Sequence, residues 1–218
     1  LIDGAVDQSF TIGSGASLPS ITLNQAATTI SLTSGGSSTL QGDLVITSGV
    51  FDLSGSNLTI DETFTIDTNG TLQVQGAETF TVTGATTRNA GHTVIFTGDG
   101  DAAMDTYTIT NANFYTTYEN LVINSTDGTT DIFQIDALLT VNDDLTITAG
   151  IMDLNGQNLT VHAVDTTFSN DATLRLEGGE TITNLTNDTN SGTVEYDGAG
   201  TYGSLAAGDN YFNLTLLT

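Results

Sequence analysis

The side chains in this sequence best suited to chemistry are carboxylates. Asp99, Asp101 and Asp105 stand in the stretch TGDGDAAMD as D-x-D-x-x-x-D. Hard cations take several oxygen ligands from a flexible loop, so this stretch is a candidate calcium site. It lacks the closing Glu and full spacing of an EF-hand, and TGDGD occurs once where a calcium-binding nonapeptide array would repeat it. Asp143 and Asp144 are a second carboxylate pair, but neighbours on a strand point to opposite faces. That suits them poorly to act together across a glycosidic bond. His92 and His162 have no Cys or His at ligand spacing and read as surface residues.

Other chemistry is excluded by what the chain lacks. It has no cysteine, hence no disulfide or thiol chemistry, and no lysine, hence no Schiff base and no Lys–Asn isopeptide cross-link. Arg88 and Arg175 are the only arginines, a thin supply for the proton abstraction that polysaccharide lyases need. No Ser/His/Asp set and no phosphate-binding glycine loop is present. The sequence predicts no enzyme and no cofactor other than calcium.

Asparagines form a further class. Asn57, Asn158, Asn184 and Asn213 begin Asn-Leu-Thr, and Asn69, Asn124 and Asn187 also begin acceptor sequons for glycosylation. Asn57 and Asn158 recur in identical context, which predicts buried corner asparagines stacked on their counterparts as a ladder. Thr-x-Thr pairs are frequent, but their spacing predicts no recurrence at one structural position. Thr is the natural small residue for the solvent face of a strand.

The elements that position these residues follow from a duplication. Residues 144–161 (DLTITAGIMDLNGQNLTV) match residues 43–60 (DLVITSGVFDLSGSNLTI) at 11 of 18 positions. Apolar residues alternate with Thr or small polar residues in both copies, and period two means strands with one buried face. Gly49, Gly55, Gly150 and Gly156 supply sharp corners, with Asp52 and Asp153 beside them. Eighteen residues thus make three short strands and two corners, as in a chain turning round a narrow apolar interior. Similar matches continue along the chain, Glu180 with Glu78 and residues 211–216 with residues 118–123 among them. The Asn69-Gly70 dipeptide predicts a tight turn between separate strands at 64–67 and 71–75.

The chain has 218 residues, 38% of them hydrophobic, with one proline and no Trp. No window shows sustained helical periodicity, so the expected class is all-β. A single-stranded parallel β-helix fits the dense corners better than the alternative, tandem immunoglobulin-like β-sandwiches, which need longer strands and a Trp anchor. Coils of about twenty residues stacked about 4.8 Å apart predict about eleven coils and a rod of about 50 Å. The expected organisation is one continuous solenoid over residues 1–218, made of two repeats at about 20–119 and 120–213. The chain begins at Leu1 without Met and ends where a third repeat would open, as expected of a segment or of a stacking subunit.

The patterns Gly49-x-x-Asp52-Leu53-x-Gly55-x-Asn57-Leu58-Thr59-Ile60 and Gly150-x-x-Asp153-Leu154-x-Gly156-x-Asn158-Leu159-Thr160-Val161 resemble the β-helical repeats of large secreted bacterial surface proteins. Those are the filamentous-haemagglutinin-like adhesins and autotransporter passengers. The resemblance implies a right-handed parallel β-helix, an extracellular or cell-surface location, and a stalk or adhesive role.

The formal charge of −24, from 26 acids against two arginines, makes nucleic acid and anionic membranes poor partners. No signal peptide or membrane span is visible. The leading expectation is a structural subunit or segment of an extracellular filament, stalk or surface layer, partnered end to end by copies of itself or adjoining repeats. The alternative is an adhesin module that binds a glycan or surface near Asp99–Asp105, Tyr115 or Tyr118. A polysaccharide-active enzyme ranks third.

Overall fold

The computed structural model describes residues 7–10, 17–33, 36–110, 114–128, 131–162, 168–199, 202 and 205–217. Among these residues the protein is all-β, without a helix, and its strands pair in parallel as a β-solenoid. Parallel pairing excludes the tandem sandwich, whose strands run antiparallel. The chain forms two compact units, Leu1–Ile95 and Phe96–Thr218.

In the first unit, three long strands, Ile21–Leu32, Leu44–Asp52 and Phe64–Val74, lie side by side. Each bends once and so contributes to two walls of the coil. Ile21, Leu44 and Phe64 stack in one inward column, and Ile30, Phe51 and Leu72 in another. The strands Ser37–Leu40, Asn57–Ile60 and Phe80–Val82 form a further wall, with Leu58 on Phe80. Alternate residues are buried at both ends of the Ile21–Leu32 and Phe64–Val74 strands, as the period-two pattern requires, with a more exposed stretch between.

The Asn69-Gly70 turn takes a different form from the expected one. These residues lie inside the continuous Phe64–Val74 strand, paired with Ser48 and Gly49 of the neighbouring coil. In a parallel ladder the next coil templates the backbone through the bend, so the chain bends without reversing. A Cβ on Gly70 would lie 2.5 Å from the Ile46 carbonyl oxygen, which leaves room for glycine alone. The sequence also predicts two strands at 20–24 and 27–33, and these likewise merge into Ile21–Leu32. The strand expected at 10–12 lies largely outside the described residues.

In the second unit one sheet runs Thr106–Thr108, Ile132–Gln134, Ile151–Asp153, Thr173–Leu176, Thr193–Tyr196 and Asn213–Leu216. Its inward column is Tyr107, Phe133, Met152, Leu174, Val194 and Leu214. A second wall stacks Tyr118, Val141 and Val161, and a third stacks Leu121, Leu145 and Phe168. Coil length varies: 19 residues separate the paired Phe133 and Met152, but 26 separate Tyr107 and Phe133. About eight turns result, against the eleven expected, because loops swell several corners.

Candidate functional site

The second unit contains an acidic corner built from two loops. Residues 97–105 follow the Thr93–Phe96 strand, and residues 125–128 follow Asn120–Asn124, with Asp131 beyond them. The Thr126 amide ties them by donating to the Thr97 carbonyl at 2.7 Å. Asp99, Asp101 and Asp127 converge there, each offering an oxygen within 4.8 Å of the others. Asp105, expected with them, is not in this group, and Asp127 is. Asp105 is half-buried at the loop's end, where its amide donates to Asp131 Oδ1 at 3.3 Å. The spacing within one loop could not reveal this, because Asp127 arrives from the next coil.

Behind the corner lies Asp131, wholly buried. Ser125 Oγ donates to its Oδ2 at 2.9 Å. That oxygen fills the space a Cβ on Gly98 would need. Burial pushes the Asp131 carboxyl above the usual carboxylate range, against the hydrogen bonds from Ser125 and Asp105 and with added repulsion from Asp127 and Asp99. Asp105 is raised too, first by desolvation and then by Asp101, Asp99 and Asp127.

A raised carboxyl binds its proton more tightly folded than unfolded, so its favourable contribution is present at acid pH and lost as pH rises through the folded value. Asp188 acts oppositely, since amides of Asn190 and Asn170 lower it. A difference measurement isolates the corner. Relative to the parent, Asp131→Asn is expected to gain stability between about pH 4.5 and pH 7, the range where ordinary carboxylates are charged. Denaturant unfolding at the two pH values, without divalent cation, checks this; a variant that loses ground toward neutral pH refutes it.

The duplicated corners show what their constant residues do. Gly49 and Gly150 have φ of 92° and 90°. Ser54-Gly55 and Asn155-Gly156 each place two successive residues at positive φ. Asp52 Oδ1 and Asp153 Oδ1 accept from the Ser54 and Asn155 amides at 2.9 and 2.8 Å, which holds those turns.

The asparagines differ from the expected buried ladder. Asn57 is half-buried and Asn158 exposed, and the residue paired with Asn57 on the preceding coil is Ser37. Each Oδ1 instead accepts the next coil's amide, Thr79 or Thr181, at 2.7 Å. The side chain faces outward because its strand neighbours Leu58 and Leu159 take the inward places.

Among the other sequons Asn69, Asn124 and Asn184 are exposed. Asn187 Nδ2 donates to the Ala207 carbonyl and Asn213 Nδ2 to the Gly192 carbonyl, which engages the atom a glycan would use.

His162 is exposed, but His92 is buried, with Nδ1 2.7 Å from the Asn89 carbonyl. Its position just ahead of the Thr93–Phe96 strand turns the ring inward. The threonines also recur in register, contrary to expectation. Thr39, Thr59 and Thr81 form one outward column, and Thr117, Thr140, Thr160 and Thr183 form another. Coil lengths of 20 to 23 residues hid this in the sequence.

Two structural features went unread. The buried carboxylates of Glu78 and Glu180 clamp corners. Glu78 accepts the amides of Gln75 and Gly76 at 2.7 Å and of Gly55 at 3.1 Å. Glu180 accepts those of Glu177 and Gly178. The alignment of Glu180 with Glu78 was the available signal. Arg175 sits in the lateral ladder between Asp153 and Glu195, 2.6 Å from Glu195 Oε1 and 3.7 Å from Asp153 Oδ2.

A different kind of site closes the sheet of the second unit. In Asn213–Leu216, Leu214 pairs with Val194 and Leu216 with Tyr196. Val194 and Tyr196 are 4% and 0% exposed, whereas Leu214 and Leu216 are 41% and 52% exposed. Phe212 and Leu217 are exposed beside them. No protein-family description, curated protein or solved structure matches the chain. The functional reading therefore rests on these two places, the acidic corner and the uncovered strand.

Proposed function

We infer that the protein is a structural subunit or segment of an extracellular filament, stalk or surface layer, extended by stacking β-coils end to end. The observation that carries this reading is the Asn213–Leu216 strand. Its leucines stand in inward register yet lie open. A strand edge with apolar residues in core positions is a template for another strand unless something covers it. A further parallel coil, from an adjoining repeat or a second copy, would continue both the hydrogen-bond ladder and the aliphatic column. Burying each leucine fully is worth about 1.5–3 kcal/mol.

Composition supports the same reading. The acidic, lysine-free chain keeps a repetitive β surface soluble and discourages sideways pairing. The resemblance to secreted surface repeats supports an extracellular setting, and the exposed Asn69, Asn124 and Asn184 sequons accord with it.

Electron microscopy and sedimentation over a concentration series test the proposal. The parent chain is expected to form end-to-end oligomers, and Leu214→Asp with Leu216→Asp to shift association by about a hundredfold in concentration, as about 3 kcal/mol of lost burial implies. A parent that remains monomeric at high concentration, or a double variant that associates equally well, defeats it.

A further inference from the structure

We propose that the acidic corner of the second unit is a calcium site, with Asp99, Asp101 and Asp127 as carboxylate ligands and the Tyr107 hydroxyl buried beside Asp99. The distances suit the ion. Calcium holds oxygens at about 2.3–2.6 Å, so ligand atoms on one ion lie within about 5 Å of each other. The three carboxylates offer oxygens within 4.8 Å.

They are also held in place. Asp101 Oδ1 accepts the Ala103 amide at 2.7 Å, and Asp127 Oδ1 accepts the Ala102 amide at 3.1 Å. Asp99 and Asp101 are exposed, so an ion has a route in.

An acidic cluster alone would be unremarkable on a chain this acidic. Tyr107 supplies the independent observation. It is only 6% exposed, its ring stacks on Phe133 at 5.4 Å, and its hydroxyl is buried with no hydrogen-bond partner in proper geometry. The hydroxyl lies against the Asp99 amide, which can only donate, in the field of Asp99, Asp131 and Asp105. A buried phenol whose proton has no acceptor costs free energy.

The nearby Asp131 carboxylate is already engaged, its Oδ2 by the Ser125 hydroxyl and its Oδ1 by the Asp105 amide. A cation held by Asp99 brings its oxygen shell over the hydroxyl and offsets the repulsion among Asp99, Asp101, Asp105, Asp127 and Asp131. Calcium fits better than magnesium, because two loops from different coils form an adaptable cage, not the near-ideal octahedron that magnesium demands. The site is independent of the stacking proposed above.

Calorimetric titration of the full chain with calcium chloride at about 0.15 M salt, which screens diffuse attraction to the net charge, tests the site. One saturable site per chain is expected. Asp99→Asn combined with Asp127→Asn should weaken it by at least about tenfold. Asparagine preserves the acceptor oxygens for the loop amides, and circular dichroism verifies that the variant is folded. Asp209→Asn, at an exposed acid elsewhere in the unit, should leave affinity unchanged.

Terbium substituted for calcium should show tyrosine-sensitised luminescence that falls more for Tyr107→Phe than for Tyr202→Phe. The absence of saturable calcium binding, equal binding by the Asp99/Asp127 variant, or terbium emission indifferent to Tyr107 each overturns the proposal.

Discussion

Replacing Glu78 with alanine is expected to lower the stability of the first unit by about 4 kcal/mol. Its carboxylate, 2% exposed, takes hydrogen bonds from three amides, those of Gly55, Gln75 and Gly76. Alanine leaves all three without that acceptor; the buried Gly76 and half-buried Gln75 amides each cost about 1–3 kcal/mol when unsatisfied, while the exposed Gly55 amide can turn to water. Glu78→Gln should cost less, about 2 kcal/mol, because one side-chain oxygen can still hold the two amides that Oε1 holds now, while its amide nitrogen faces the Gly76 amide donor to donor. Denaturant unfolding gives the total. Hydrogen exchange at Gly55, Gln75 and Gly76 locates it, since those amides should lose protection before the strand amides do. An alanine variant within about 0.5 kcal/mol of the parent, the range of an ordinary surface substitution, would show that the clamp contributes nothing.

Gly49→Ala is expected to destabilise the same unit by about 3 kcal/mol, for two separable reasons. The residue has φ of 92°, a region that L side chains rarely adopt. A Cβ there would also meet backbone, 2.3 Å from the Gln25 carbonyl oxygen and 2.9 Å from that of Thr28. Backbone in a stacked ladder cannot move aside as a flexible side chain could. Gly128→Ala is the comparison, because it has φ of 74° but nothing within 4 Å of the new methyl. It should cost only the conformational part, about 1 kcal/mol. Equal losses in the two variants would mean that coil-to-coil contact is not what restricts position 49.

Much of the architecture was legible in the residues. Alternation in 43–60 and 144–161 identified the inward columns, since Leu44, Ile46, Leu58 and Ile60 are all buried in the positions that period two assigns. Alternation depends only on local backbone geometry, and a strand keeps it wherever it lies. The Ser54-Gly55 and Asn155-Gly156 corners were readable for the same reason, because positive φ is a property of the residue and its turn. The absence of lysine and cysteine excluded whole reaction classes without reference to any fold.

What the residues left open depends on register between coils. Contacts in a solenoid join residues one coil apart, and here that separation is 19 residues between Phe133 and Met152, 26 between Tyr107 and Phe133, and 29 between Thr97 and Thr126, depending on the loop at the corner. A fixed spacing therefore could not place Asp127 beside Asp99, put Asp131 behind Gly98, or align Thr117, Thr140, Thr160 and Thr183. Corner residues were the hardest, since alternation stops where the chain bends. Glu78 and His92 both turn inward at such bends, and Asn57 remains on the outer side of its strand. The D-x-D-x-x-x-D stretch that first drew attention showed the same division. Its residue types by themselves determined that a cation is the chemistry to consider. Only the stacking of one coil on the next decided that the carboxylate brought beside Asp99 and Asp101 is that of Asp127 rather than Asp105.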